Sequence, residues 1–297
     1  MQESHRWPLC TTHLDARTRP RSACERSRLL VGRRRGVLQA RSAAQFKTRV
    51  LLATCVAGPF IFAAVIRMQS ALPSDTLFGR AVKESGFAIP LVVLGFAALW
   101  AFPVLTSVVG GDVFAAEDRY GTWKTLLTRS RSRADVFAGK VATAVGFSLL
   151  AVILLAVSSV SAGVMVIGAD PLIDLSGILL SPAQALNRVI LAWASVLPPA
   201  LAFTALAVVL SVATRSSAAG IGLPVIVGLT MQLYAFVDGP EVIRRLLITS
   251  AFGAWHGLLV EPPYYQPLVH GTIVSGAYFV VCLAIAYSKL RRRDIGG

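Results

Sequence analysis

The sequence predicts an all-α, polytopic membrane protein with six transmembrane helices, and three observations predict it. Of 297 residues, 55% are hydrophobic and only 15% are charged, whereas a soluble domain carries about a quarter charged residues. The mean hydropathy is +0.66. The apolar residues also gather into six continuous runs, each close to the ~20 residues a helix needs to cross a bilayer. Being continuous rather than alternating, the runs exclude a transmembrane strand barrel.

In chain order the runs cover residues 50–66, 86–109, 141–168, 189–213, 218–237 and 271–287. Gly58-Pro59 predicts a kink in the first. Pro198-Pro199 predicts one in the fourth, where neighbouring helices must satisfy the freed carbonyls. None of the runs holds an Asp, Glu, Lys, Arg or His away from its ends. Ion-coupled carriers and proton pumps use such groups to bind the coupling ion, and a membrane-embedded hydrolase needs a base beside its nucleophile. The serines of "AVSSVSAG" in the third run read as helix-packing groups. A chain of this kind draws its energy from elsewhere. An ion-coupled secondary transporter and a membrane-embedded assembly or structural protein stand as alternatives, the first of which requires a buried ion or proton site.

Basic residues set the orientation. With both termini inside, residues 1–49, 111–140, 214–217 and 288–297 hold about 23 of the 29 Lys and Arg residues, so the positive-inside rule places both termini in the cytoplasm of a multi-pass cell-membrane protein. Residues 1–36 form a basic arm, and the first fifty residues carry much of the +14 net charge. The arm lacks interleaved aromatics and any nucleic-acid-binding module, so a disordered, lipid-facing extension is expected and nucleic acid is not. No apolar core of the signal-peptide kind precedes Val50. The six-span domain occupies 37–297 and opens on a weakly amphipathic stretch (Val37, Ala40, Ala44 and Phe46 against Arg41, Lys47 and Arg49), which fits a helix lying in the membrane interface. Cys10, His13 and Cys24 follow no zinc spacing and lack a fourth ligand, while Cys55 and Cys282 fall inside spans. Neither a metal site nor a disulfide framework is expected.

The polar stretch between the second and third runs, residues 111–140, asks for an explanation. Val113, Ala116, Tyr120, Trp123 and Leu127 recur at helical spacing, which predicts a separate amphipathic helix at the cytoplasmic surface, weakened at Gly121 and restarted at Thr122. Asp135 lies near the start of the next helix. A loop on lipid headgroups accounts for Arg129, Arg131 and Arg133 but not for Asp112, Glu117 and Asp118, which anionic lipid repels. A protein partner accounts for both.

Residues "EDRYGTWKTLLTRSRSRADVFAGK" resemble the signature of type-2 ABC exporter permeases. Glu117, Gly121-Thr122, Leu126-Leu127, Ser132-Arg133 and Gly139-Lys140 occupy the matching positions, although Arg131 or a neighbour stands where the family commonly has Pro. "LSVATRSSAAGIG" resembles the family's tight turn between spans four and five, and "YSKLRRRDIGG" its basic ending. The resemblance implies that Glu117, Arg119, Tyr120, Gly121, Thr122, Trp123 and Arg133 form a coupling element docking on a separate ABC ATPase subunit. It also implies a second permease subunit, as homodimer or heterodimer, and re-entrant helices within "PEVIRRLLITSAFGAWHGLLVEPPYYQP" before span six. The chain has no Walker A loop, since Gly139-Lys140 is followed by Val141 without the preceding glycines. No cofactor and no catalytic residue of its own is therefore expected; ATP and Mg belong to the partner ATPase, and membrane lipids are the remaining contacts.

Overall fold

The computed structural model describes residues 46, 48–69, 81–120, 132–234, 237 and 239–292, and the structural statements below concern these residues. The basic arm, Cys10, His13, Cys24 and most of the amphipathic stretch at 37–49 lie outside them. Six helices are long and apolar enough to cross a membrane: Thr48–Met68, Ala88–Asp118, Arg133–Val166, Pro182–Thr214, Ser217–Tyr234 and Gln266–Arg291. The protein is an all-α, multi-pass membrane protein.

Helix α1 (Thr48–Met68) runs without a break through Gly58-Pro59. The second span joins α2 (Ala88–Phe96), a π-helical segment Ala97–Ala101 and α3 (Phe102–Tyr120). The π segment has a local cause. Pro103 has no N–H, so the Leu99 carbonyl loses the donor an α-helix would give it. The turn widens, with the Phe102 N–H reaching back to the Ala97 carbonyl, and Gln232 Nε2 of the fifth span donates to Leu99 O at 2.8 Å. A neighbouring helix thus supplies the missing hydrogen bond, as hydrocarbon demands.

Helix α4 (Arg133–Val166) is the third span. The fourth divides where the paired prolines predict, into α5 (Pro182–Ser195) and α6 (Leu197–Thr214) with Val196 between them. Arg215 closes α6 in the left-handed conformation at φ 57°, and the chain turns at once into α7 (Ser217–Tyr234). Before the last span come α8 (Glu241–Leu246), α9 (Ile248–Ala251) and a 3₁₀ turn Ala254–Leu259. Ile248, Phe252, Trp255, Leu258 and Leu259 are buried, so this segment is folded into the bundle and is not a free loop. Helix α10 (Gln266–Arg291) completes the chain's described part.

The second and fourth spans form the centre, since 61% of each apolar window is buried against 22% for the first, fifth and sixth. The three peripheral helices therefore present most of their apolar surface outward. Small residues let the central helices close up. Ala200, Ala202, Ala205 and Ala207 are buried on the fourth span, and the backbones of Gly111 and Gly220 touch so closely that neither has room for a Cβ. Polar groups inside are tied: the Ser148 and Thr204 hydroxyls lie 2.7 Å apart, and Ser158 Oγ donates to Cys55 O at 2.8 Å. The serines of the third span do pack helices together.

One feature is not helical. Leu172–Ile173 (β1) and Leu179–Leu180 (β2) pair antiparallel between the third and fourth spans. Buried Asp174 sets the turn, its Oδ1 accepting from the N–H groups of Ser176 (2.9 Å) and Ile178 (2.8 Å). The hairpin docks on the 3₁₀ turn through Leu175 N–H to Leu259 O at 3.0 Å. Two-residue strands leave no alternating pattern in a sequence, so nothing announced them.

Candidate coupling site

Helices two and three are longer than a bilayer needs. The second span has 31 residues and the third 34, about 46 and 51 Å at 1.5 Å per residue, against a hydrocarbon core of about 30 Å. Their Asp174-side ends are fixed to each other, because Gly86 N–H donates to Gly168 O at 3.1 Å and Gly86 packs on the Gly163 backbone. The charged turns of both helices, residues 112–120 and 133–140, lie at the opposite end, where α3 finishes and α4 begins.

That end is stitched. Lys140 Nζ pairs with Glu117 Oε1 at 3.0 Å, both side chains being mostly buried. It also donates to the Val113 carbonyl and sits 5.4 Å from the centroid of the Phe114 ring. One ammonium thus holds the last turns of α3 against the second turn of α4. Beneath it Phe114, Phe137 and Tyr287 pack as a row of tilted rings, with centroid separations of 5.6 and 5.3 Å, over buried Ala144, Val208, Val212, Ala286 and Leu290. Helix α4 starts with a reciprocal cap: Asp135 N–H donates to Ser132 Oγ at 3.1 Å and Ser132 N–H to Asp135 Oδ2 at 3.2 Å. This arrangement satisfies two of the helix's orphan donors. Arg133 Nη1 then donates to Arg291 O, at the end of α10, at 3.0 Å.

The sequence-based reading is corrected here in two respects. The separate amphipathic helix over Val113 to Leu127 does not exist as far as Tyr120; these residues continue the second span without a break. Gly110-Gly111 does not end the helix because Gly111 is packed against Gly220. The inward face is also different. Phe114 and Ala115 are the buried residues, while Val113 and Ala116 are only half-buried. Of the expected coupling residues, Glu117, Arg119 and Tyr120 stand in the last turns of α3 and Arg133 opens α4, while Gly121, Thr122 and Trp123 lie outside the described residues. Glu117 and Arg133 make intrachain contacts that shape the site. Lys140, named in the sequence only within the Gly139-Lys140 motif, was not among the expected coupling residues; opposite charges at the adjoining ends of two consecutive spans were the available signal for its pairing.

The model of a family described as Protein of unknown function (DUF2705) matches residues 51–296. The chain belongs to this family. No curated protein matches it in sequence. The DUF2705 match takes in the stitched end, the hairpin and all six spans but for the first turn of α1, and leaves residues 1–50 and Gly297 outside.

Proposed function

We propose that this DUF2705 protein is the membrane-spanning permease subunit of an ATP-binding-cassette exporter, acting with a separate ABC ATPase subunit and a second permease subunit. It sits in the cell membrane with its termini on the cytoplasmic side, where the basic residues concentrate. The observation that carries the reading is the ion pair of Lys140 and Glu117, which ties the end of α3 to the start of α4. Such a pair gives a stiff support at both borders of the stretch in which the sequence resembles a coupling element.

The chemistry assigned to this chain is mechanical. Closure of the ATPase pair on ATP pushes the 121–131 segment. The α3–α4 pair moves as one body because its stitch is charge-assisted, and it shifts against α6 and α10, which it contacts through Ser211 Oγ (3.1 Å from Ala115 N) and the Arg291 carbonyl. The six apolar runs hold no Asp, Glu, Lys, Arg or His away from their ends, which weighs against an ion-coupled carrier.

The test is co-expression with an ATPase carrying Walker A and the ABC signature, encoded by an adjacent reading frame. The two chains should co-purify, and single cysteines at Arg119 or Lys124 should crosslink to the ATPase with a yield that changes on ATP. Gly121→Trp should lower substrate-stimulated ATP hydrolysis while the complex stays assembled. A variant complex that hydrolyses ATP and transports like the wild type would refute the coupling assignment.

A further inference from the structure

At the Asp174 end two cavities share one wall. The first, about 440 Å³, lies between the outer part of the second span, the end of α7 and the short helices, and is lined by Leu91, Phe96, Leu99, Met231, Phe252 and Trp255 among others. The second, about 470 Å³, lies between α8 and α10 and includes Arg245, Tyr264 and His270. Arg244 and Ser250 line both. Each volume is in the range of a small-molecule site.

Most of the polar side chains around the apolar cavity are engaged within the chain, and the charged one, Arg244, is the least used. Gln232 is spent on the Leu99 carbonyl, Ser250 Oγ on Leu247 O, and His256 stacks on Trp255 with Nδ1 2.7 Å from Gly253 O. Next door, Arg245 is paired with Glu241 at 3.1 Å. Arg244 reaches only the Val237 carbonyl, at 3.2 Å. Its Nε is buried without a hydrogen-bond partner, and no carboxylate among the described residues lies within ion-pair distance. A guanidinium held half out of water with unused donors is a site for an anion. The rim shows how a ligand arrives. Phe96 and Leu99 line the cavity yet are 51% and 44% exposed, on a helix surface that faces hydrocarbon in a membrane. The opening is lateral.

We propose that the paired cavities bind one anionic amphiphile, a single alkyl chain in the apolar cavity and a phosphate or carboxylate head on Arg244. The chain enters sideways from the bilayer, and the head stays at the level of α8, where Arg244 borders both cavities. The geometry is independent of any ATPase, so the proposal stands or falls separately from the transport reading.

The experiment uses the full chain in phosphatidylcholine nanodiscs with radiolabelled dodecyl phosphate. Dodecanol, dodecanoate and inorganic phosphate serve as competitors, the alkyl compounds at matched membrane concentration. Dodecyl phosphate should bind saturably, dodecanoate should displace it, and dodecanol should compete roughly tenfold less well, the worth of one charge-assisted contact. Arg244→Gln should bring dodecyl phosphate down to the dodecanol level, and Arg244→Lys should restore part of the difference, which separates lost recognition from lost folding. Gly95→Leu, whose side chain would point at Trp255 across the cavity, should weaken both alkyl ligands. Equal affinity for dodecanol and dodecyl phosphate, an unchanged Arg244→Gln, displacement by inorganic phosphate at similar concentration, or no saturable binding would each overturn the proposal.

Discussion

The stitch between the second and third spans can be measured by a double-mutant cycle on Glu117 and Lys140. At 3.0 Å two unit charges attract by roughly 5–6 kcal/mol at an effective dielectric constant of 20. Desolvation of two mostly buried ions takes back most of that, leaving about 1–2 kcal/mol of net coupling for a hydrogen-bonded pair. The single variants should be unequal. Lys140→Met removes at least three contacts together, among the described residues those with the Glu117 carboxylate, the Val113 carbonyl and the Phe114 ring face, and should cost about 2–3 kcal/mol by the usual worth of such contacts. Glu117→Gln leaves the other two in place and should cost about 1 kcal/mol.

Reversible unfolding in mixed micelles provides the assay, with wild type, both single variants and the double variant under one condition. Raising the salt should change the coupling little, because the pair is mostly buried and bulk ions screen it poorly. A coupling within about 0.5 kcal/mol of zero, which is the ordinary error of additivity, would refute the stitch. A larger cost for Glu117→Gln than for Lys140→Met would refute the three-contact account of Lys140.

Three other outcomes follow from the packing. Gly111→Ala should destabilise by about 1–3 kcal/mol, since an added Cβ meets the Gly220 backbone, whereas Gly139→Ala, with nothing near its Cβ, should stabilise α4 by about 0.5–1 kcal/mol; thermal midpoints of the two proteins compare them. Gln232→Leu should cost about 1–2 kcal/mol by removing the donor to Leu99 O, and much less in a Pro103→Ala background, where the new N–H can take that carbonyl; equal costs in both backgrounds in an unfolding titration would contradict the proline origin of the π segment. Single cysteines at Gly177 and Ser216 in intact cells should react oppositely with a membrane-impermeant maleimide, Gly177→Cys labelling and Ser216→Cys not, as the basic-residue asymmetry requires; the reverse pattern would invert the topology.

The spans were legible because hydrophobic run length is a local property, and so was the break at Pro198, where the missing N–H acts within one turn. Their ends were less so. The third run, read from residue 141, begins at Arg133 because the first turns of α4 are charged and a hydropathy reading discards them; the Ser132 and Asp135 cap marks the true start. The reverse error affected the second span. Asp112, Glu117 and Asp118 looked like a new element because polarity rose, yet a helix leaving a bilayer changes its surface without changing its backbone. The π segment and the Arg244 cavities were beyond a linear reading. Both depend on which distant residue arrives, Gln232 at Leu99 in one case and α8 against α10 in the other.

These features are connected by one helix. The second span runs from the cavity wall at Leu91, Phe96 and Leu99 to the stitch at Glu117, and its one irregular turn lies between them, at Ala97–Ala101. A regular helix pushed at one end moves as a rod, and every contact along it must yield together. A π turn, whose carbonyl is held by a side chain from another helix, is the place where the rod can bend at the smallest loss, one side-chain hydrogen bond of about 1 kcal/mol. Force applied near Tyr120 would therefore reach the outer half of the span as a change of angle at Leu99, which is itself a wall of the apolar cavity. The proposed coupling end and the proposed ligand cavity need no chain of intermediaries between them, because they share a single helix with one joint.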